Sequence, residues 1–161
     1  MSLVHRALRI PGALAVLGVA LVSGLPAQAG SPDAALVYRR FAARVVKIQS
    51  IEKRSGAKSA IGSGFFVSSA GHVVTNYHVV SELINRPERY RAELVDGGER
   101  SRTVEVLAID VVHDLAVLQA EPAGDPWFEL APASPDRGTR LYSMGHPHDL
   151  GLSIVEGTYN G

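Results

Sequence analysis

Cysteine is missing from all 161 residues. Its absence rules out disulfides, cysteine-ligated zinc, a thiol nucleophile and a lipidated N-terminal cysteine. Net charge is missing too, since 16 Lys and Arg balance 16 Asp and Glu. No basic run stands out, and phosphate binding needs clustered Lys and Arg, so a nucleic-acid role has no electrostatic support. Neither an internal repeat nor a low-complexity tract occurs. Long apolar runs are scarce. Ile10 to Leu25 falls below the ~20 residues of a bilayer span and is interrupted by Pro11 and several glycines.

What remains is the composition of a folded domain, with 46% hydrophobic and 20% charged residues. The first segment stands apart. Met1 to Arg9 carries His5, Arg6 and Arg9 and no acidic residue, and the apolar run leads to Ala27-Gln28-Ala29, a small-x-small cleavage pattern. Residues 1–29 read as a secretory signal peptide, with the mature chain starting near Gly30. An uncleaved membrane anchor is the competing reading. Cleavage implies a periplasmic or secreted protein with no membrane association afterwards. It leaves 14 basic against 16 acidic residues, a charge of about −2.

Residues 30–44 predict a short N-terminal helix. Ser31-Pro32-Asp33 supplies capping residues, and Leu36, Tyr38, Phe41 and Val45 form an apolar stripe. Strand patterns follow at Val45 to Ile51, Ile61 to Val67, His72 to Asn76, Tyr90 to Val95, Thr103 to Ile109 and Leu115 to Ala120. About six short strands joined by turns such as Asp96-Gly97-Gly98 predict a small antiparallel barrel or sandwich over 45–122. Residues 123–161 begin in a Pro/Gly linker and resume strand-like runs at Thr139 to Met144 and Leu152 to Tyr159. The last pair, Asn160-Gly161, favours a tight hairpin turn but has no returning strand, so this unit is expected to be incomplete.

Two segments carry chemistry. The first runs Gly62-Ser63-Gly64-Phe65-Phe66-Val67 and then Gly71-His72-Val73-Val74-Thr75-Asn76-Tyr77-His78-Val79-Val80; the second is Asp114-Leu115-Ala116-Val117-Leu118. Together they resemble the trypsin-like serine peptidases of the HtrA/Deg type. Gly145-His146-Pro147, Gly151 and Val155-Glu156-Gly157 resemble the start of that family's second barrel. The resemblance implies an all-β fold: one six-stranded antiparallel barrel of the trypsin-like type plus the truncated start of a second. It also implies that His78 is the general base, Asp114 the acid that orients it, and proteins or peptides the substrates. No metal or organic cofactor is implied, because triad, oxyanion hole and binding cleft supply the catalysis.

The chemistry explains the residue types. A serine hydroxyl is a weak nucleophile until an imidazole takes its proton, and a carboxylate fixes that imidazole's tautomer and stabilises its cation. The order His then Asp matches the arrangement in which Ser comes last. The G-x-S-G-G segment the family uses does not occur in these residues. Ser134, Ser143 and Ser153 come too early and lack flanking glycines. Asp110 competes with Asp114 as the acid, but Asp114 carries the Leu-Ala-Val-Leu pattern after it. His72 reads as a solvent-facing strand residue and His113 as a loop neighbour of Asp114. His146-Pro147-His148 is a weak metal pattern without a third ligand. The competing functions are a secreted, non-catalytic binding module on a protease-like barrel and a metal-dependent hydrolase using several of the His residues. Oligomeric state is open on the sequence.

Overall fold

The computed structural model describes residues 32–98, 100–147 and 150–161. The signal-peptide reading of 1–29, the Gly30 start, the Ser31 cap and His148 fall outside the described residues. Helix α1 (Pro32–Phe41) has Asp33 in its first turn and Arg39 and Arg40 in its last, so its charges oppose the helix dipole at both ends. The helix predicted through Arg44 tightens into a 3₁₀ turn over Ala42–Arg44 before the chain extends at Val45.

Six strands then form the barrel: β1 (Val45–Glu52), β2 (Lys58–Phe66), β3 (His72–Thr75), β4 (Tyr90–Val95), β5 (Ser101–Asp110) and β6 (Leu115–Ala120). They close antiparallel in the order β1-β2-β3-β6-β5-β4, as expected of the all-β reading. Closure comes from β4 returning to β1, from Lys47 opposite Val95 to Glu52 opposite Tyr90. Alternation sets the inside. Val46, Ile48 and Ser50 of β1, Val73 and Thr75 of β3, Ala92 and Leu94 of β4, and Ala116, Leu118 and Ala120 of β6 are all buried.

Between β3 and β4 the sequence predicts a short helical turn that begins where the strand ends, at His78. The structure has a nine-residue helix, α2 (Tyr77–Asn85). Its apolar positions explain the length: Val79 and Val80 are buried, and Leu83 and Ile84, one turn on, pack against the same core. The close approach of α2 and β1 to β2 also explains the glycines of the first motif. A Cβ on Gly62 would collide with Val79 Cγ2, and one on Gly64 would lie 2.9 Å from Ile48 Cγ1 and Val73 Cγ1.

Residues 121–139 hold no helix or strand but are pinned to the barrel. The Phe128 N–H donates to the Phe66 carbonyl at 2.8 Å, and Arg102 Nη1 donates to Asp125 Oδ2 at 2.8 Å. Phe128 also stacks on Phe41 of α1 at 5.6 Å, with the Arg44 guanidinium over both rings. A second sheet of two strands follows, β7 (Arg140–Gly145) and β8 (Ser153–Thr158), paired antiparallel along their whole length. The His146 N–H, just after β7, donates to Ser63 Oγ of β2 at 2.8 Å.

The Gly62 contact generates a test. Gly62→Ala should destabilise by about 1–3 kcal/mol, because a buried β-branched side chain on α2 has no room to give. Gly97→Ala, which meets nothing within 4 Å, is the control and should unfold like the wild type. Urea unfolding of both variants checks this; equal midpoints would show that α2 shifts at no cost.

Candidate active site

The site forms where β3 hands over to α2. Thr75 ends the strand with its Oγ1 donating to the Ser63 carbonyl at 2.7 Å. Asn76 stays extended, at φ −81° and ψ 144°, and α2 begins at Tyr77, which puts His78 in the first helical turn. Thr75 pairs with Ala116 of the neighbouring β6. Asp114 lies two residues before that partner, so sheet pairing carries it to the start of α2.

Asp114 is the single non-glycine residue with positive φ (54°) among the described residues. The left-handed region costs an L-residue about 1–2 kcal/mol, less for Asp, whose short polar chain can bond locally. Four N–H groups from three consecutive residues meet it there. The His78 backbone N–H donates to Oδ1 at 2.9 Å, and His78 Nδ1 lies 2.7 Å from Oδ2. Asn76 Nδ2 donates to Oδ2 at 3.2 Å and to the Asp114 carbonyl at 3.1 Å, and the Tyr77 N–H donates to that carbonyl at 3.1 Å. The His78 backbone N–H above all, then the His78 ring and further the Asn76 amide, hold the Asp114 carboxyl below its ordinary range. An ionised carboxylate accepts only, so Nδ1 carries the ring proton and Nε2 is left as a base. The ring is accessible, with 68% of the His78 side chain and 44% of the Asp114 side chain exposed.

Beneath the pair, Ser50 of β1 donates from its buried Oγ to the Val79 carbonyl at 2.6 Å, tying the His78 turn to the barrel wall. The sequence reading gave neither Ser50 nor Asn76 a task. In the sequence Ser50 reads only as a polar residue on the same strand face as Val46 and Ile48.

The remaining candidates lie elsewhere. Asp110, the competing acid, bonds His113 instead, with His113 Nδ1 2.6 Å from Asp110 Oδ2 and the His113 N–H donating to Oδ1 at 3.1 Å. His72 is partly buried, its Nδ1 2.9 Å from Ser68 Oγ. Ser143 sits in β7, Ser153 in β8 and Ser134 in the preceding loop, and none of them hydrogen-bonds His78. Among the described residues no three His, Asp or Glu side chains are grouped to hold a metal ion.

Residues 62–161 match the family model described as trypsin-like peptidase domain. The chain is 29% identical to Protease Do-like 5, chloroplastic, of Arabidopsis thaliana, over 78% of this chain and 45% of that protein. It is 35% identical to the probable periplasmic serine endoprotease DegP-like of Bartonella henselae, over 61% of this chain and 19% of that one. The solved structure of the serine endoprotease from Yersinia pestis superposes with a TM-score of 0.66 at 25% identity, covering 78% of this chain and 43% of that chain. The chain thus spans less than half the length of these proteins.

The depressed carboxyl of Asp114 sets a pH dependence. A lowered folded-state pKa stabilises the fold fully above the unfolded value, about 3.9, and is lost as pH falls through the folded value. Asp114→Asn should therefore be less stable than wild type at pH 7, and the gap should close below pH ~3.9. Urea midpoints of the two proteins at both pH values measure it; a gap that is unchanged or widens in acid would contradict the arrangement.

Proposed function

The chain belongs to the trypsin-like peptidase family, with serine endoproteases of the Deg/HtrA type among its relatives, and from that premise we propose that His78 and Asp114 serve as base and orienting acid of a serine endopeptidase. The observation that carries the reading is the Nδ1–H to Oδ2 bond of 2.7 Å, which leaves Nε2 as the free base. In the proposed reaction the serine Oγ attacks the scissile carbonyl carbon while His78 Nε2 takes its proton. Asp114 stabilises the resulting imidazolium, which gives the proton to the leaving amine. Water, activated by the same nitrogen, then releases the acyl group. Substrates on this reading are proteins or peptides.

The nucleophile is the part these residues do not supply, since no G-x-S-G-G segment occurs among them. We read the 161 residues as carrying two of the three catalytic groups, and expect them to be inactive alone. In a longer chain that continues these residues through a G-x-S-G-G segment, casein hydrolysis and labelling by a fluorophosphonate should both occur. His78→Ala and Asp114→Asn should each lower kcat by about 10⁴-fold or more. Intact activity in His78→Ala would favour the non-catalytic binding module. Casein cleavage by the 161 residues alone, lost in His78→Ala, would make one of their own serines the nucleophile.

Location follows from the N-terminal segment. The basic start, apolar run and Ala27-Gln28-Ala29 support export to the periplasm or beyond, in keeping with the name of the Bartonella henselae relative. Mass spectrometry of the exported protein should find an N-terminus at or near Gly30; a membrane-bound product that retains Met1 to Ala29 would overturn the cleaved-signal reading.

A further inference from the structure

We propose that Asn76 is a positioning residue for the acid, its carboxamide clamping the carbonyl and carboxylate of Asp114 so that Oδ2 stays on the His78 imidazole. The proposal rests on the peptidase reading of His78 and Asp114. Asn76 occupies the residue before the first turn of α2, where an Asn side chain ordinarily accepts an N–H of that turn. Here it makes no such bond. The carboxylate of Asp114, from 36 residues further on, accepts the His78 N–H in its place. Freed from capping, the Asn76 amide turns outward to Asp114.

The chemistry dictates which end of the amide points there. A carbonyl oxygen and an ionised carboxylate oxygen both accept only, so the NH₂ group faces them. The two bonds, 3.1 Å to the backbone and 3.2 Å to the side chain of the same residue, act on different freedoms. The first, with the Tyr77 N–H, holds the peptide of a residue whose φ is 54°. The second stops the carboxylate from rotating about its bond to Cβ. Without it Oδ2 keeps the imidazole as its one remaining donor, and the His78 N–H on Oδ1 alone is left to resist a joint rotation of ring and carboxylate.

Asn76→Asp separates positioning from capping. Aspartate has the same shape and caps a helix as well as asparagine, but it has no N–H to give and sets a second negative charge against Asp114. In a longer chain that supplies the G-x-S-G-G segment, Asn76→Ala should lower kcat by about 10- to 100-fold with KM changed by less than about twofold, and Asn76→Asp should lower it at least as far. A second readout needs no turnover: the titration of the Asp114 carboxyl followed by carbon NMR. The groups facing that carboxyl are His78 and Asn76 of the α2 junction, while Asp110 and His113 in its own connection bond each other. Its midpoint should rise in Asn76→Ala and rise further in Asn76→Asp. Wild-type kcat and titration in Asn76→Asp beside a defective Asn76→Ala would make Asn76 a helix cap and overturn the proposal. Unchanged values in both variants would also overturn it. If the wild-type protein hydrolyses nothing, the peptidase reading falls, and the Asp114 titration alone decides the role of Asn76.

Discussion

The Asp114 carboxylate accepts the His78 backbone N–H on one oxygen and the His78 ring N–H on the other. One bond fixes the start of a helix and the other fixes the tautomer of the imidazole that the helix carries. Neither could form from local sequence, because the acid and the histidine are 36 residues apart. Their meeting requires β3 and β6 to be neighbours in register, with Thr75 opposite Ala116. It also requires the chain at Asp114 to turn through the left-handed region so that the carboxylate faces back across the seam. The barrel is what makes both conditions hold together.

Packing then decides how firmly the histidine is held. The first turn of α2 lies against β2 so closely that Gly62 has no room for a side chain, while Val79 and Val80 fill the core beside His78. Two buried hydroxyls reinforce the junction: Thr75 bonds β2 and Ser50 of β1 bonds the Val79 carbonyl. Such groups are costly to bury without a partner. Each therefore fixes a geometry as well as filling a space, and both geometries lie within three residues of the imidazole.

A comparison within the molecule separates geometry from chemistry. Asp110 and His113 repeat the same two bonds, backbone N–H to one oxygen and ring nitrogen to the other. There the two residues are only three apart, Asp110 ending β5 and His113 in the turn that follows, so the pair is a local loop closure. Both pairs are solvent-exposed, so exposure does not tell them apart. What distinguishes the His78 pair is its place at a junction of β3, β6 and α2, where the bond sets the direction of a helix and of the ring upon it.

Residue pattern alone determined a good deal. Alternating apolar runs named the eight strands of the described residues to within a few positions, because a side chain every second position must be buried for the barrel to have a core. The resemblance of the flanking motifs to the peptidase family made His78 and Asp114 the candidates. Tertiary structure decided the rest. Nine-residue α2 was legible only as a short turn, as its apolar face acquires a meaning when the barrel supplies a core to meet it. The demand on Gly62 comes from Val79, a contact no local pattern contains. Asp110 and Asp114 are both acids near the end of β5, and their separate partners were set by the backbone turn between them. Asn76 and Ser50 read as ordinary polar residues because their bonds run to atoms 38 and 29 residues away. A hydrogen bond over that distance exists only after the strands have paired, so the chain can encode it but cannot display it.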